Sequence, residues 1–130
     1  MSEVKKSCKY SKEHEWVELI GDNRARVGVT DYAQHSLGDI VFVELPELGA
    51  QIIKGESIGS IESVKAVSEI YTPINGTIFE VNQSLEDTPE LLNEDPYEKG
   101  WIAIVEVKDI SELEDLMSAE EYEAFLKEIE

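Results

Sequence analysis

From residue 14 to residue 107 the apolar residues come in short runs, each broken by turn residues. HEWVELI and RARVGV alternate roughly with period two on either side of GDN, which is hairpin chemistry. Further runs of strand character follow: DIVFVELP, AQIIK, ESIGSIESV, AVSEIYT, TIFEVN and WIAIVEV. Turns around Pro46 to Gly49, at Gly55 and at PING divide them. Such a chain is confined to a mostly β architecture. Thr30 can cap a short helix over DYAQHSL that ends at Gly38. Residues 83–100 hold Pro89, Pro96 and Gly100 and read as a long polar loop.

The last twenty residues change character. Ser111 with Glu114 and Ser118 with Glu121 both have capping-box spacing. Leu113, Leu116 and Met117 share one helix face after the first pair. After the second, Tyr122, Phe125, Leu126 and Ile129 recur at i, i+3, i+4, i+7, which predicts an amphipathic helix packed on the β body.

The two stretches flanking Lys65 resemble each other. GDIVFVELPELGAQIIKGESIGSIES precedes it, and GTIFEVNQSLEDTPELLNEDPYEKGWIAIVE follows. Each opens with glycine and a D/T-I-x-x-V strand, passes a proline-containing turn region, and closes with glycine and an alternating isoleucine strand. The pattern describes two pseudo-symmetric halves with Lys65 at the tip of the hairpin that joins them. Propensity alone disagrees: SVKAVSEIY lacks Gly, Pro, Asn and Asp and reads as one continuous strand.

At 130 residues, 42% of them hydrophobic, the chain suits a single domain over 1–130 with its own core. Net charge is −18, from 11 basic and 29 acidic residues, which argues against nucleic acid or anionic membrane as a partner. Lys5, Lys6, Lys9 and Lys12 make residues 1–12 a basic N-terminal arm, expected to be a solvated terminus. Cys8 is the only cysteine, so no intrachain disulfide forms and no cysteine-based metal site can be built. This fits a reducing compartment. No apolar run approaches the length of a membrane span, and the N-terminus lacks the apolar core of a secretion signal. His14 and His35 stand too far apart for helical pairing and read as core or surface residues rather than metal ligands.

ESVKA, with GESIGSI before it and VSEIYTPINGTIFEVN after it, resembles the lipoyl-attachment region of the H protein of the glycine cleavage system. HEWV at 14–17, GVTDYAQ at 28–34, LGDIVFVELPELG at 37–49, NEDPYEKGW at 93–101 and the acidic helical tail at 111–130 resemble that family in the same order. The resemblance implies a barrel-sandwich hybrid of two related halves (the lipoyl/biotinyl-like type) with short helices and a C-terminal helix. It implies one lipoic acid per chain in amide linkage to Lys65, and a carrier rather than an enzyme. Implied partners are glycine decarboxylase, aminomethyltransferase, dihydrolipoyl dehydrogenase, and the lipoate ligase or lipoyl/octanoyl transferase that modifies the lysine. A monomer is implied, in a bacterial cytoplasm or in a mitochondrial matrix after removal of a transit peptide.

By the same resemblance Glu62 is a candidate for recognition by the modifying enzyme. Glu15, Glu69 and Thr72 are candidates for a cleft that shelters the cationic aminomethyl load. Glu13 stands where relatives often have serine, and Glu69 where they often have aspartate. Other readings are an H-like lipoyl relay in lipoate biosynthesis or scavenging, a biotinyl or 2-oxoacid-dehydrogenase lipoyl domain, and an acidic interaction module. Val64 and Ala66 beside the lysine count against the biotinyl and 2-oxoacid types, which favour methionines and aspartate there. The phosphate-loop pattern is missing from GESIGSIESVK, and no Ser-His-Asp or Cys-His set supports an enzyme.

Overall fold

The computed structural model describes residues 2–129. In chain order it runs β1 (Lys9–Tyr10), β2 (Glu15–Leu19), β3 (Arg24–Val29), α1 (Asp31–Leu37), β4 (Ile40–Glu44), β5 (Gln51–Ile52), β6 (Ser57–Ser63), β7 (Val67–Tyr71), β8 (Gly76–Val81), α2 (Ser84–Asp87), α3 (Leu91–Glu94), β9 (Ala103–Val107), a 3₁₀ segment (Ile110–Asp115) and α4 (Ala119–Ile129). The strands form two antiparallel sheets, one ordered β1-β2-β3-β9-β8-β5 and one ordered β4-β6-β7. Val17, Val27, Ile78 and Val105 of the first sheet and Val43, Ile61 and Ile70 of the second belong to one buried cluster. Each such side chain contributes about 1.5–3 kcal/mol by leaving water.

The repeat read in the sequence is present in the backbone. β4 pairs with β6, and β8 pairs with β9. Register breaks between Ile40 and Phe42 in the first pair and between Ile78 and Glu80 in the second. Counted from Gly38 and Gly76, the two breaks fall at the same place in each half. β6 then hands over to β7 as a hairpin, so Lys65 stands where one half meets the other.

A second cluster joins the two chain ends. Tyr10 stacks on Tyr122 with ring centroids 4.4 Å apart, and Cys8, Trp16, Tyr97 and Leu126 are buried with them. Trp16 lies across from Gly28 in the β2-β3 register; a Cβ there would come within 2.6 Å of the indole. The indole N–H donates to the Pro96 carbonyl at 3.1 Å. The N-terminal arm is therefore not a solvated terminus. Lys9–Tyr10 is a short edge strand, and Lys5 Nζ meets Glu18 and Glu98 at 3.1 and 2.5 Å.

Two other expectations are corrected. The 83–100 loop contains α2 and α3, each a single turn that drives one leucine, Leu85 or Leu92, into the core. Ser111 and Glu114 do not form a capping box. Asp109 caps that segment instead, accepting from the Ser111 N–H, and the segment is 3₁₀. Ser118 and Glu121 do form the reciprocal pair: the Ser118 N–H donates to Glu121 Oε1 at 2.8 Å and the Glu121 N–H to Ser118 Oγ at 3.1 Å. α4 buries Ala119, Tyr122 and Leu126.

Candidate functional site

Lys65 is exposed at the turn between β6 and β7. The continuous strand that propensity predicts is broken by Ser63. Its N–H donates to the Ala66 carbonyl at 2.8 Å, and its Oγ accepts from the Lys65 and Ala66 N–H groups at 3.2 and 3.1 Å. A serine hydroxyl thus serves two backbone donors that a sheet partner would otherwise take.

The tip rests on the chain between α1 and β4. The Val64 N–H donates to the Asp39 carbonyl at 3.0 Å. Gly38 adopts φ +82°, and the stem of Lys65 passes over it, with Cε 3.7 Å from where a Cβ would stand. Asn93 on α3 holds this seat. Its Oδ1 accepts from the Ile40 N–H at 2.9 Å, and its Nδ2 donates to the Gly38 carbonyl at 3.0 Å and to Gln34 Oε1 at 2.8 Å. Both Asn93 amide protons are used, one on the turn under the lysine and one on the α1 side chain beside it.

The other candidates are not gathered at one point. Glu62 is exposed on the outer face of the β4-β6-β7 sheet, level with Phe42 and Val67. Glu69 lies on the same face and accepts from Ser57 Oγ at 2.5 Å. Glu15 is only 4% exposed. Its Oε1 accepts from Ser11 Oγ at 2.7 Å and its Oε2 from the Tyr71 N–H at 3.2 Å, so it ties β2 to the end of β7. Thr72 is buried; its hydroxyl donates to the Ile74 carbonyl at 2.7 Å. Thr72 also lines a cleft of about 280 Å³ together with Ser11, Glu13, Lys54 and Met117. Glu15 borders this cleft through its hydrogen bond to Ser11.

Burial pushes the Glu15 carboxyl up to about 7, against the pull of the Ser11 and Tyr71 hydrogen bonds. His14, beside it, has φ +68°, and its Nδ1 lies 2.8 Å from the Tyr122 hydroxyl, which also meets Thr30 Oγ1 at 2.8 Å. Burial holds His14 below the usual imidazole value, with the nearby Glu13 pulling the other way. Among the described residues no group of three or more His, Cys, Asp or Glu is placed to hold a metal, and no helix is long and apolar enough to cross a membrane.

Comparison with known proteins agrees with this arrangement over almost the whole chain. Residues 8–129 match the family model described as glycine cleavage H-protein. The chain belongs to the glycine cleavage H-protein family. It is 58% identical over 123 residues to a glycine cleavage system H protein of Geobacillus thermodenitrificans, covering 95% of this chain and 96% of that one. With that of Bacillus subtilis the figures are 58% over 125 residues, 96% and 98%. The crystal structure of an H protein from Mycobacterium marinum superposes with a TM-score of 0.88 at 36% identity, covering 95% of this chain and 99% of that chain. Within this H-protein frame, two residues escaped the reading of the sequence as functional. Ser63 carried a signal, since serine two positions before a tip can form a side-chain turn. Asn93 opens the NEDPY motif, but nothing local predicts that its amide reaches back to Gly38 and Ile40.

Proposed function

We propose that Lys65 Nζ is the attachment point of a lipoyl group in amide linkage, and that the chain works as a non-catalytic carrier in glycine cleavage. In this reading it visits glycine decarboxylase, aminomethyltransferase and dihydrolipoyl dehydrogenase in turn. The dithiolane, when bound, supplies the group-carrying and redox chemistry, accepting an aminomethyl group and two electrons. The chain's own residues supply placement. The observation that carries the reading is an exposed lysine on a backbone held from three sides, by Ser63, the Asp39 carbonyl and Asn93.

The tip fits an acyl group. Among the described residues Lys65 Nζ makes no ion pair, so acylation forfeits none. Gly38 leaves room beneath the stem, which a larger residue would narrow. The rigid base limits the arm's motion to its own bonds and keeps its sweep centred on the tip. The cleft beside Thr72 is the place this reading gives to sheltering a cationic load, because Glu13 lines it and a carboxylate there can pair with an ammonium.

Lys65→Arg tests the reading. The substitution keeps length and charge but offers no amine for amide formation. We expect an unchanged thermal midpoint, no lipoylation, and no glycine decarboxylation when the purified partners are combined with the variant. Full activity of the variant would overturn the assignment.

A further inference from the structure

The turn PING between β7 and β8 holds the chain's one asparagine-glycine pair, Asn75 and Gly76. The other asparagines, Asn23, Asn82 and Asn93, precede Arg24, Gln83 and Glu94. Asparagine is among the thermolabile residues, and a following glycine has no Cβ to shield its nitrogen from the side-chain amide. The packing calls for both members of the pair. A Cβ on Gly76 would lie 2.3 Å from the Glu106 carbonyl oxygen, so a larger residue would displace β9. Asn75 joins three segments. Its Oδ1 accepts from the Lys54 N–H at 2.7 Å, and its carbonyl accepts from the Lys108 N–H at 3.1 Å. Its Nδ2 donates to Glu112 Oε2, and its own N–H donates to Glu112 Oε1 at 3.4 Å. The side-chain amide is thus held between the turn before β6 and the 3₁₀ segment. Gly76 is held by pairing with Ile52 on one side and Val107 on the other. Water has access, since Asn75 and Gly76 line an open groove of about 370 Å³.

We propose that Asn75 is a site of spontaneous deamidation and that the Glu112 carboxylate is the clasp that delays it. When the clasp opens, the Gly76 nitrogen bonds to the side-chain carbonyl carbon of Asn75. The bond from that carbon to Nδ2 breaks, and ammonia leaves with the proton from the Gly76 nitrogen. The five-membered imide then takes up one water and opens at either carbonyl, leaving an aspartyl or an isoaspartyl residue. Nothing is oxidised or reduced.

The product cannot close the clasp again. Its carboxylate still accepts from the Lys54 N–H, but it has no proton for Glu112 and sets like charge against it. The isoaspartyl form also lengthens the main chain by one carbon where the Lys108 N–H meets it. Both changes release the 3₁₀ segment. That segment ends at Asp115, and Asp115 and Leu116 line the cleft beside Thr72. Ageing of one amide therefore reaches the wall of that cleft. The proposal stands on the turn and its contacts, whatever group Lys65 carries.

The test is prolonged incubation of the whole folded chain in warm, mildly alkaline buffer. Peptide mapping reads the mass gain of amide-to-acid conversion at each asparagine, and isoaspartate with it. Wild-type chain in denaturant sets the unhindered rate. We expect the folded wild type to deamidate at Asn75 at least about tenfold more slowly than the denatured chain, about 1.4 kcal/mol of added barrier. Glu112→Ala should recover most of that factor at Asn75 and leave Asn82, the internal control, at its wild-type rate. Glu112→Asp, one methylene too short for the clasp, serves in its place if the alanine variant does not fold. Asn75→Asp, made directly, should exchange the amide hydrogens of the 3₁₀ segment faster than the wild type does. Four results would overturn the proposal: a denatured chain that does not deamidate at Asn75, a folded rate equal to the denatured one, a wild-type rate in the folded Glu112 variant, or wild-type exchange in Asn75→Asp.

Discussion

Glu15 couples the HEW segment to the lysine-bearing hairpin through a carboxylate that burial makes unwilling to ionise. Its ordinary value of 4.5 is raised to about 7 in the folded protein. A carboxyl with a raised folded value holds its proton in the native state while the unfolded chain has already lost it. Its stabilising effect is therefore complete below about pH 4.5 and declines as pH climbs to about 7, a loss on the order of 3 kcal/mol. His14 acts with the opposite sign: its value is lowered by burial, so stability falls as pH drops below the unfolded value of 6.5. Glu15→Gln keeps an acceptor for the Tyr71 N–H and separates the two effects. We expect the variant to gain on the wild type by a few kcal/mol between pH 4.5 and 7 in denaturant titrations. Parallel curves would remove Glu15 as the source of the slope.

At the scale of elements, small helices and the tail decide where the strands sit. α3 buries Leu92 and presents Asn93. Asn93→Ala leaves the Gly38 carbonyl and the Ile40 N–H without this partner, and we expect a loss of about 1–3 kcal/mol. Hydrogen exchange at the Val64 amide should quicken at the same time, because the Asp39 carbonyl it uses is no longer held. Exchange unchanged from the wild type would show that the seat does not depend on α3. α4 is pinned by the Tyr122 hydroxyl, which meets both His14 and Thr30. Tyr122→Phe should cost about 1–3 kcal/mol in thermal or chemical unfolding and leave lipoylation alone. A variant as stable as the wild type would mean that the packing of α4 holds the tail without the hydroxyl. The β2-β3 hairpin, α1 and the Ser118–Glu121 cap were legible because each declares itself locally, by alternation about GDN or by capping spacing. α2 and α3 were not. Each is one turn with one buried leucine, too short for periodicity, and neither N-cap side chain makes a capping bond. β1 was missed for a related reason: two residues among lysines have no strand pattern, and tertiary contacts make them one, namely pairing with β2, the Tyr10–Tyr122 stack and the Met117 bridge.

The molecule as a whole is two related β halves that meet at one lysine. The repeat was readable in the glycine-isoleucine pattern, and the matched register breaks at Ile40/Phe42 and Ile78/Glu80 give it a backbone counterpart. The place of Lys65 at a hairpin tip was readable through the repeat around it, whereas the support of that tip was not. Ser63, Asp39 and Asn93 come from three separate stretches that only tertiary packing brings together. The candidate cleft was readable only as residue types. In the fold Glu15 is spoken for by Ser11 and Tyr71, Thr72 by Ile74, and Glu69 faces outward. The surplus of acid in the chain, net −18, suits partners with basic surfaces and repels polyanions. On the function proposed above, this fold serves to hold one acylated lysine. The most direct test is the intact mass of the protein made in cells supplied with lipoate and an active ligase, with peptide mapping of the modified site. One lipoyl increment, on Lys65 and nowhere else, is the expected result; an unmodified Lys65 in those cells would contradict the account.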